Sequence, residues 1–230
     1  MNASEFDKFA DEYQSLHANN IRASGESPAY FARYKVQDVA QVLGEPSQEA
    51  LRVLDFGAGV GTSVPYFREL FANVQLTCLD VSQKSLALGE QQFAGQADFV
   101  AFDGKTIPFP DNSFDLTFAA CVFHHIDHAQ HLALLSELRR VLRPKGCVVI
   151  FEHNPLNPLT VHAVNTCPFD ENAVLIKASQ LMRTLEQAGF GQLQRRYRIF
   201  FPKALSFLRG LEPYLTWLPL GAQYSVFGRK

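Results

Sequence analysis

The ten residues Val53-Leu54-Asp55-Phe56-Gly57-Ala58-Gly59-Val60-Gly61-Thr62 constrain this chain more than any other segment. An apolar run that ends in alternating glycines reads as a buried strand turning sharply into a helix. Glycine permits positive φ and a close approach of backbone to ligand, and a helix start aims N–H groups at whatever lies there. Dinucleotide sites space their glycines G-x-G-x-x-G so that a pyrophosphate meets the helix N-terminus. The G-x-G-x-G spacing here suits a nucleoside ligand without a pyrophosphate.

The same rhythm continues on either side. Short apolar strands are expected at 51–56, 74–79, 98–102, 114–122 and 147–151, with helices at 62–71, 83–93 and 128–142. Pro144-Lys145-Gly146 is a stop-and-turn signal before the last of these strands. Such alternation implies an α/β fold with a doubly wound, mostly parallel sheet. Residues 1–43 read as two helices broken at Gly25-Glu26-Ser27-Pro28, the first starting at Ser4 and the second covering 30–43. Beyond Asn154 a helix at 179–189 and two strands, near 194–201 and 222–228, are expected. With no Gly-, Ser- or Pro-rich linker, the 230 residues form one domain: a helical lid over 1–46, a ligand-binding core over 51–153, and insertions at 154–178 and 202–220 that shape a substrate pocket.

Successive strands end in acids. Asp80, in Leu79-Asp80-Val81-Ser82, can accept hydrogen bonds from both hydroxyls of a ribose, with Val81 lying on a purine face. Asp103, in Phe102-Asp103-Gly104, can accept from an exocyclic amine. Ligands of open α/β sheets bind outside the carboxyl ends of the strands, so Asp55, Asp80 and Asp103 converge on one site.

Past the next two strand ends stand His124-His125 and Glu152-His153, candidates for a general base because imidazole titrates near neutral pH. Capping or packing roles compete for all four residues. His124, His125, His128 and His131 cluster in sequence, but no carboxylate or thiol spacing completes a zinc pattern, and no metal is expected. The segment after His153 carries Asn154, Asn157, His162 and Asn165 among prolines; its amides suit a polyhydroxylated acceptor, or simply form turns.

Composition limits the classes that remain. The chain has 47% hydrophobic residues, 20 of them Phe, and no apolar run near the roughly 18 residues of a bilayer span. The N-terminus is polar and acidic, unlike a secretory signal. Cys78, Cys121, Cys147 and Cys167 form no CxxC pair, and the first three lie in or beside apolar runs. They are expected to be reduced core thiols of a cytoplasmic protein. Net charge is −2, yet Arg195, Arg196, Arg198, Lys203, Arg209, Arg229 and Lys230 face only Glu212, so residues 195–230 carry +6. That stretch interleaves with Phe201, Phe207, Leu208, Leu211, Tyr214 and Trp217, as a substrate lid, a dimer surface or a membrane-touching element would.

Val53–Gly61, Leu79-Asp80-Val81-Ser82, Ile107-Pro108-Phe109-Pro110-Asp111-Asn112-Ser113-Phe114-Asp115-Leu116, Phe123-His124-His125-Ile126 and Leu138-Arg139-Arg140-Val141-Leu142-Arg143-Pro144-Lys145-Gly146-Cys147 follow one another in a familiar order. By these motifs the chain resembles the class I S-adenosylmethionine-dependent methyltransferases, in the small-molecule branch that includes ubiquinone/menaquinone-type and sugar or natural-product enzymes. The resemblance implies a seven-stranded Rossmann-like sheet of order 3-2-1-4-5-7-6 with strand 7 antiparallel, and S-adenosyl-L-methionine as cofactor. It implies that Gly57, Gly59 and Gly61, with Phe56 and Ala58 between and beside them, wrap the methionine part while Asp55 orders the turn. Asp80 would hold the ribose, Val81 the adenine face, and Asp103 with Gly104 the adenine edge. Main chain at Ala120 and Cys121 would meet the methionine amino group, and an aromatic from the N-terminal helices, Tyr13 before Phe9 or Tyr30, would cover the cofactor. The acceptor expected from the amides and the basic stretch is a sugar, nucleotide-sugar or lipid-linked glycan. The alternatives are a lipid or quinone methylated at a membrane surface, and a non-catalytic S-adenosylmethionine-binding subunit. Nucleic acid is not an expected partner, since Ala120-Cys121-Val122-Phe123 stands where an Asn-Pro-Pro-Tyr motif would. Peripheral membrane contact and a homodimer remain open.

Overall fold

A computed structural model describes residues 24–44 and 50–230. The expectations placed on residues 1–23, Tyr13 and Phe9 among them, lie outside the described residues. The first described helix, α1 (Pro28–Leu43), starts where Ser27 accepts from the Tyr30 N–H and Pro28 occupies the first turn, a position that needs no donor. Gly44, at φ 75°, ends it.

Strands and helices then alternate: β1 (Leu51–Phe56), α2 (Val64–Leu70), β2 (Val74–Asp80), α3 (Gln83–Gln92), β3 (Asp98–Ala101), β4 (Phe114–Ala120), α4 (His128–Val141) and β5 (Leu142–His153). After α5 (Pro158–Asn165) and α6 (Ala178–Gln187) come β6 (Gly191–Arg198), a 3₁₀ stretch at Lys203–Leu211, α7 (Glu212–Leu215) and β7 (Gln223–Arg229). The sheet order is β3-β2-β1-β4-β5-β7-β6, with β7 antiparallel to both neighbours. The expected topology holds strand for strand.

Alternation along the strands separates two apolar layers. Leu54, Phe56, Leu79, Val148 and Ile150 face one side with α4 and α6, while Val53, Leu76, Val149 and Phe151 face the other with α1 and α2. The abundant phenylalanines fill these layers edge to face, as where Phe118 meets Phe67 at 5.3 Å. All four cysteines are free thiols.

Two local expectations differ. Pro144-Lys145-Gly146 does not stand outside the sheet: β5 begins at Leu142, and its pairing with β4 shifts register between Phe114 and Leu116. The turn is absorbed as an irregularity with Lys145 at φ 68°. Helix α5 was not foreseen, because its Pro-rich sequence reads as loop; Pro158 sits in its first turn and Asn157 caps it, accepting from Leu159 and Thr160 N–H.

Candidate active site

The glycine turn after β1 leans on β2: Gly57 N and Ala58 N both donate to Leu79 O, at 2.8 and 3.1 Å. Gly57 (φ 72°) packs so closely that a Cβ would lie 2.5 Å from Val122 Cγ1. Gly59 (φ 55°) is different, since a Cβ there would meet nothing within 4 Å. One glycine admits the neighbouring loop and the other leaves open space above the strand ends, the cradle a closely approaching ligand needs. Phe56 offers that space only its main chain; its ring is buried between Phe102 and Phe123.

Asp55 lies beneath the turn, buried, its carboxylate accepting from the Ser63 hydroxyl at the start of α2. Burial lifts its pKa to about 7, against the pull of the Ser63 hydrogen bond and with the help of Asp80. Asp80 ends β2, and its two oxygens accept from Gly59 N at 2.8 Å and Ser82 N at 2.9 Å. Val81 is buried beside it. Asp103 is exposed and accepts from Lys105 N and Thr106 N, each at 2.8 Å, bonds that hold its pKa low. Gly104 next to it takes φ 78°. β4 ends at Ala120, and Cys121 turns the chain at φ 60°, its N–H donating to Phe151 O at 2.8 Å.

Sequence reasoning missed Lys35 and Gln223. Lys35 is a nearly buried cation on α1 whose Nζ lies 3.4 Å from Cys121 Sγ. Gln223, at the start of β7, accepts from the Tyr34 hydroxyl and lies 3.7 Å from the same sulfur. Lys35 could have been found, with Asp38, as a charged residue on the buried face of an amphipathic helix. Gln223 carried no signal, because only sheet pairing brings β7 beside β5.

The four residues offered as bases gather at the ends of β4 and β5. Glu152 is fully buried and accepts from Val122 N, Phe123 N and His124 Nδ1 at 3.1, 2.7 and 2.6 Å. His124 Nε2 in turn faces Asp170 Oδ1 at 3.6 Å, and His125 Nε2 faces it at 3.3 Å. Burial pulls the His124 pKa down, but Glu152 and Asp170 overcome it and push it up to about 10, so this ring carries positive charge. Burial holds His125 and His153 neutral, His153 down to about 4 with the His124 charge adding to the effect. Burial alone would raise Glu152, yet the His124 charge keeps it ionised. Asp170, supplied by a short 3₁₀ turn after α5, was not foreseen.

The other two histidines do not join. His131 Nε2 lies 3.0 Å from both Phe123 O and Ile126 O, and His128 faces Gln180. Two of the amides are used within the fold: Asn154 donates to Pro219 O and Gly221 O, and Asn157 to Leu220 O. Those side chains fasten the start of the 154–165 segment to the 219–221 turn before β7.

Residues 54–150 match the family described as methyltransferase domain. A demethylmenaquinone methyltransferase of Thermotoga maritima is 31% identical over 152 residues, 66% of this chain and 61% of that protein. The chain thus spans about three-fifths of the length of that relative. Among solved structures, a Thermotoga maritima methyltransferase described as a possible histamine N-methyltransferase superposes with a TM-score of 0.71 at 18% identity, covering 100% of both chains. Phosphoethanolamine N-methyltransferase 2 of Haemonchus contortus, solved with S-adenosyl-L-methionine, gives 0.60 at 18% identity over 85% of this chain and 51% of that one. With sheet order, glycine turn and family match in agreement, this chain carries a class I S-adenosylmethionine-dependent methyltransferase domain resembling those of the ubiquinone/menaquinone type.

Proposed function

We propose that the protein transfers the methyl group of S-adenosyl-L-methionine to an apolar, hydroxylated aromatic acceptor of the quinol class, met at a membrane surface. When bound, the cofactor supplies the methyl as a sulfonium, an electrophile that needs alignment more than activation. Gly57, Gly59 and Gly61 provide the cradle, Asp80 the diol acceptor, and Lys35 a cation for the methionine carboxylate. Asp103 and Gly104 serve the adenine edge, and main chain at Ala120 and Cys121 the methionine amino group. An aryl hydroxyl becomes a strong nucleophile, at oxygen or at ring carbon, once it ionises. A positive charge held at His124 by Glu152 and Asp170, with neutral His125 and His153 beside it, favours that ionisation.

The observation that carries the acceptor class is the use of Asn154 and Asn157 as fasteners, which removes two of the hydrogen-bonding groups on which the sugar reading relied. Large side chains at Phe207, Tyr214 and Trp217 stand open, and the relative most similar in sequence among those compared above is named for demethylmenaquinone methylation. The test is methyl transfer from labelled cofactor to a short-chain demethylmenaquinol and to a panel of sugars and nucleotide-sugars, read by mass spectrometry. Methylated quinol with unmodified sugars is expected; methylated sugar alone would overturn the acceptor, and the absence of cofactor binding in calorimetry would overturn the activity.

A further inference from the structure

We propose that His124, His125 and Asp170 form a site for one divalent transition-metal ion. One ligand atom from each of the three residues lies within 4.8 Å of the other two. His124 Nε2 and His125 Nε2 both face Asp170 Oδ1, at 3.6 and 3.3 Å. An ion about 2.0–2.2 Å from each of three ligands in tetrahedral geometry sets neighbouring ligand atoms roughly 3.4 Å apart, close to both of these nitrogen–oxygen separations. The side chains retain 1%, 7% and 8% of their exposure, which places the charged triangle in a low-dielectric setting.

The surroundings support ligation. Metal-bound imidazoles donate their second ring N–H to a carboxylate or carbonyl, which fixes the ring and its tautomer. His124 meets that condition through Nδ1 and Glu152 at 2.6 Å, and Glu152 is itself held by two backbone N–H groups. The loop that delivers Asp170 is tied to the histidine turn, for Val174 N donates to His124 O at 2.8 Å. Glu152 and Asp170 place a carboxylate at each nitrogen of the His124 ring, at 2.6 and 3.6 Å. Two nitrogens and one oxygen favour zinc, iron(II) or manganese(II) over magnesium or calcium, and leave a coordination position for an oxygen ligand. Local spacing could not reveal this set, because Asp170 comes from 45 residues beyond His125.

The role rests on the acceptor reading above: an ion here lowers the pKa of a bound hydroxyl more strongly than an imidazolium. Binding itself does not depend on that reading. Full-length protein is stripped with chelator and titrated with Zn²⁺ by calorimetry, and bound metal is counted by elemental analysis. One equivalent per chain is expected, with affinity at least about tenfold lower in His125→Ala and Asp170→Asn, and lower in Glu152→Gln. His162→Ala should bind as wild type. S-adenosylhomocysteine binding and thermal melting of each variant show that it is folded. No stoichiometric uptake of Zn²⁺, Fe²⁺ or Mn²⁺, or uptake indifferent to His125→Ala and Asp170→Asn in folded protein, would overturn the site. Stoichiometric binding lost in these variants supports it even where no quinol is methylated, so the two readings fail separately.

Discussion

Asp80, the proposed ribose acceptor, also serves the fold. In the structure it fastens the glycine turn by accepting from Gly59 N. Asp80→Ala removes charge-assisted bonds of about 1.5–3 kcal/mol, so S-adenosylhomocysteine affinity in calorimetry should fall about 10- to 150-fold. Gly57→Ala should cost stability rather than affinity alone. An L residue at positive φ loses about 1–2 kcal/mol before the contact with Val122 is counted, and melting temperature is the readout. Asp55 makes a prediction in pH. Its folded pKa, about 7, lies above the roughly 3.9 of an exposed Asp, so the folded state favours the protonated form. The stability this group contributes is complete below about pH 4 and is lost as pH rises through 7. Relative to Asp55→Asn, wild-type melting temperature should therefore decline between those limits, and parallel curves would exclude the buried carboxyl as the cause.

Among the elements, α5 shows why a proline-rich stretch can be helical. Pro158 fits the first turn, and Asn157 satisfies two orphan N–H groups while its amide reaches Leu220 O. Asn157→Ala should cost about 1 kcal/mol or more, a fall of about 2–4 °C in melting temperature for a chain of this size. The element also bears on the proposed metal site, since the turn that follows it brings Asp170 to His124 and His125. Strand β7 plays a comparable part: its antiparallel run beside β5 brings Gln223 to Cys121 and Tyr34. Helix α1 contributes Lys35 to the same corner, so elements distant in sequence complete the site that the central strands begin.

At the scale of the molecule, one surface is out of balance. Phe207, Tyr214 and Trp217 are 77%, 77% and 70% exposed, with Leu211 and Leu220 also open. Glu212, the only acid in the +6 stretch, is buried and accepts from Phe200 and Phe201 N–H, so it does not offset Lys203 and Arg195 at the surface. Exposed Trp and Tyr among basic residues suit the headgroup layer of an anionic bilayer. The protein should sediment with vesicles containing phosphatidylglycerol and less with pure phosphatidylcholine. Phe207→Ser with Trp217→Ser should weaken that association about tenfold or more while calorimetric cofactor affinity stays unchanged. No described helix is long and apolar enough to cross a membrane.

The alternation of strands and helices and the glycine turn were legible in the sequence because both depend on local signals, whereas the sheet order followed from the resemblance to class I methyltransferases. Strand periodicity, three alternating glycines and acids at strand ends report on residues that lie near one another along the chain. Where those signals ran out, tertiary structure decided. The amides of Asn154 and Asn157 read as ligand groups until packing turned them onto the 219–221 turn before β7. The partners of His124 and His125, namely Glu152 and Asp170, stand 28 residues beyond the first and 45 beyond the second, and only the fold brings them to the rings. The physical reason is that charge state and hydrogen-bond partners in a buried site depend on which groups share the same few ångströms, and spacing along the chain does not carry that information once a loop has folded back.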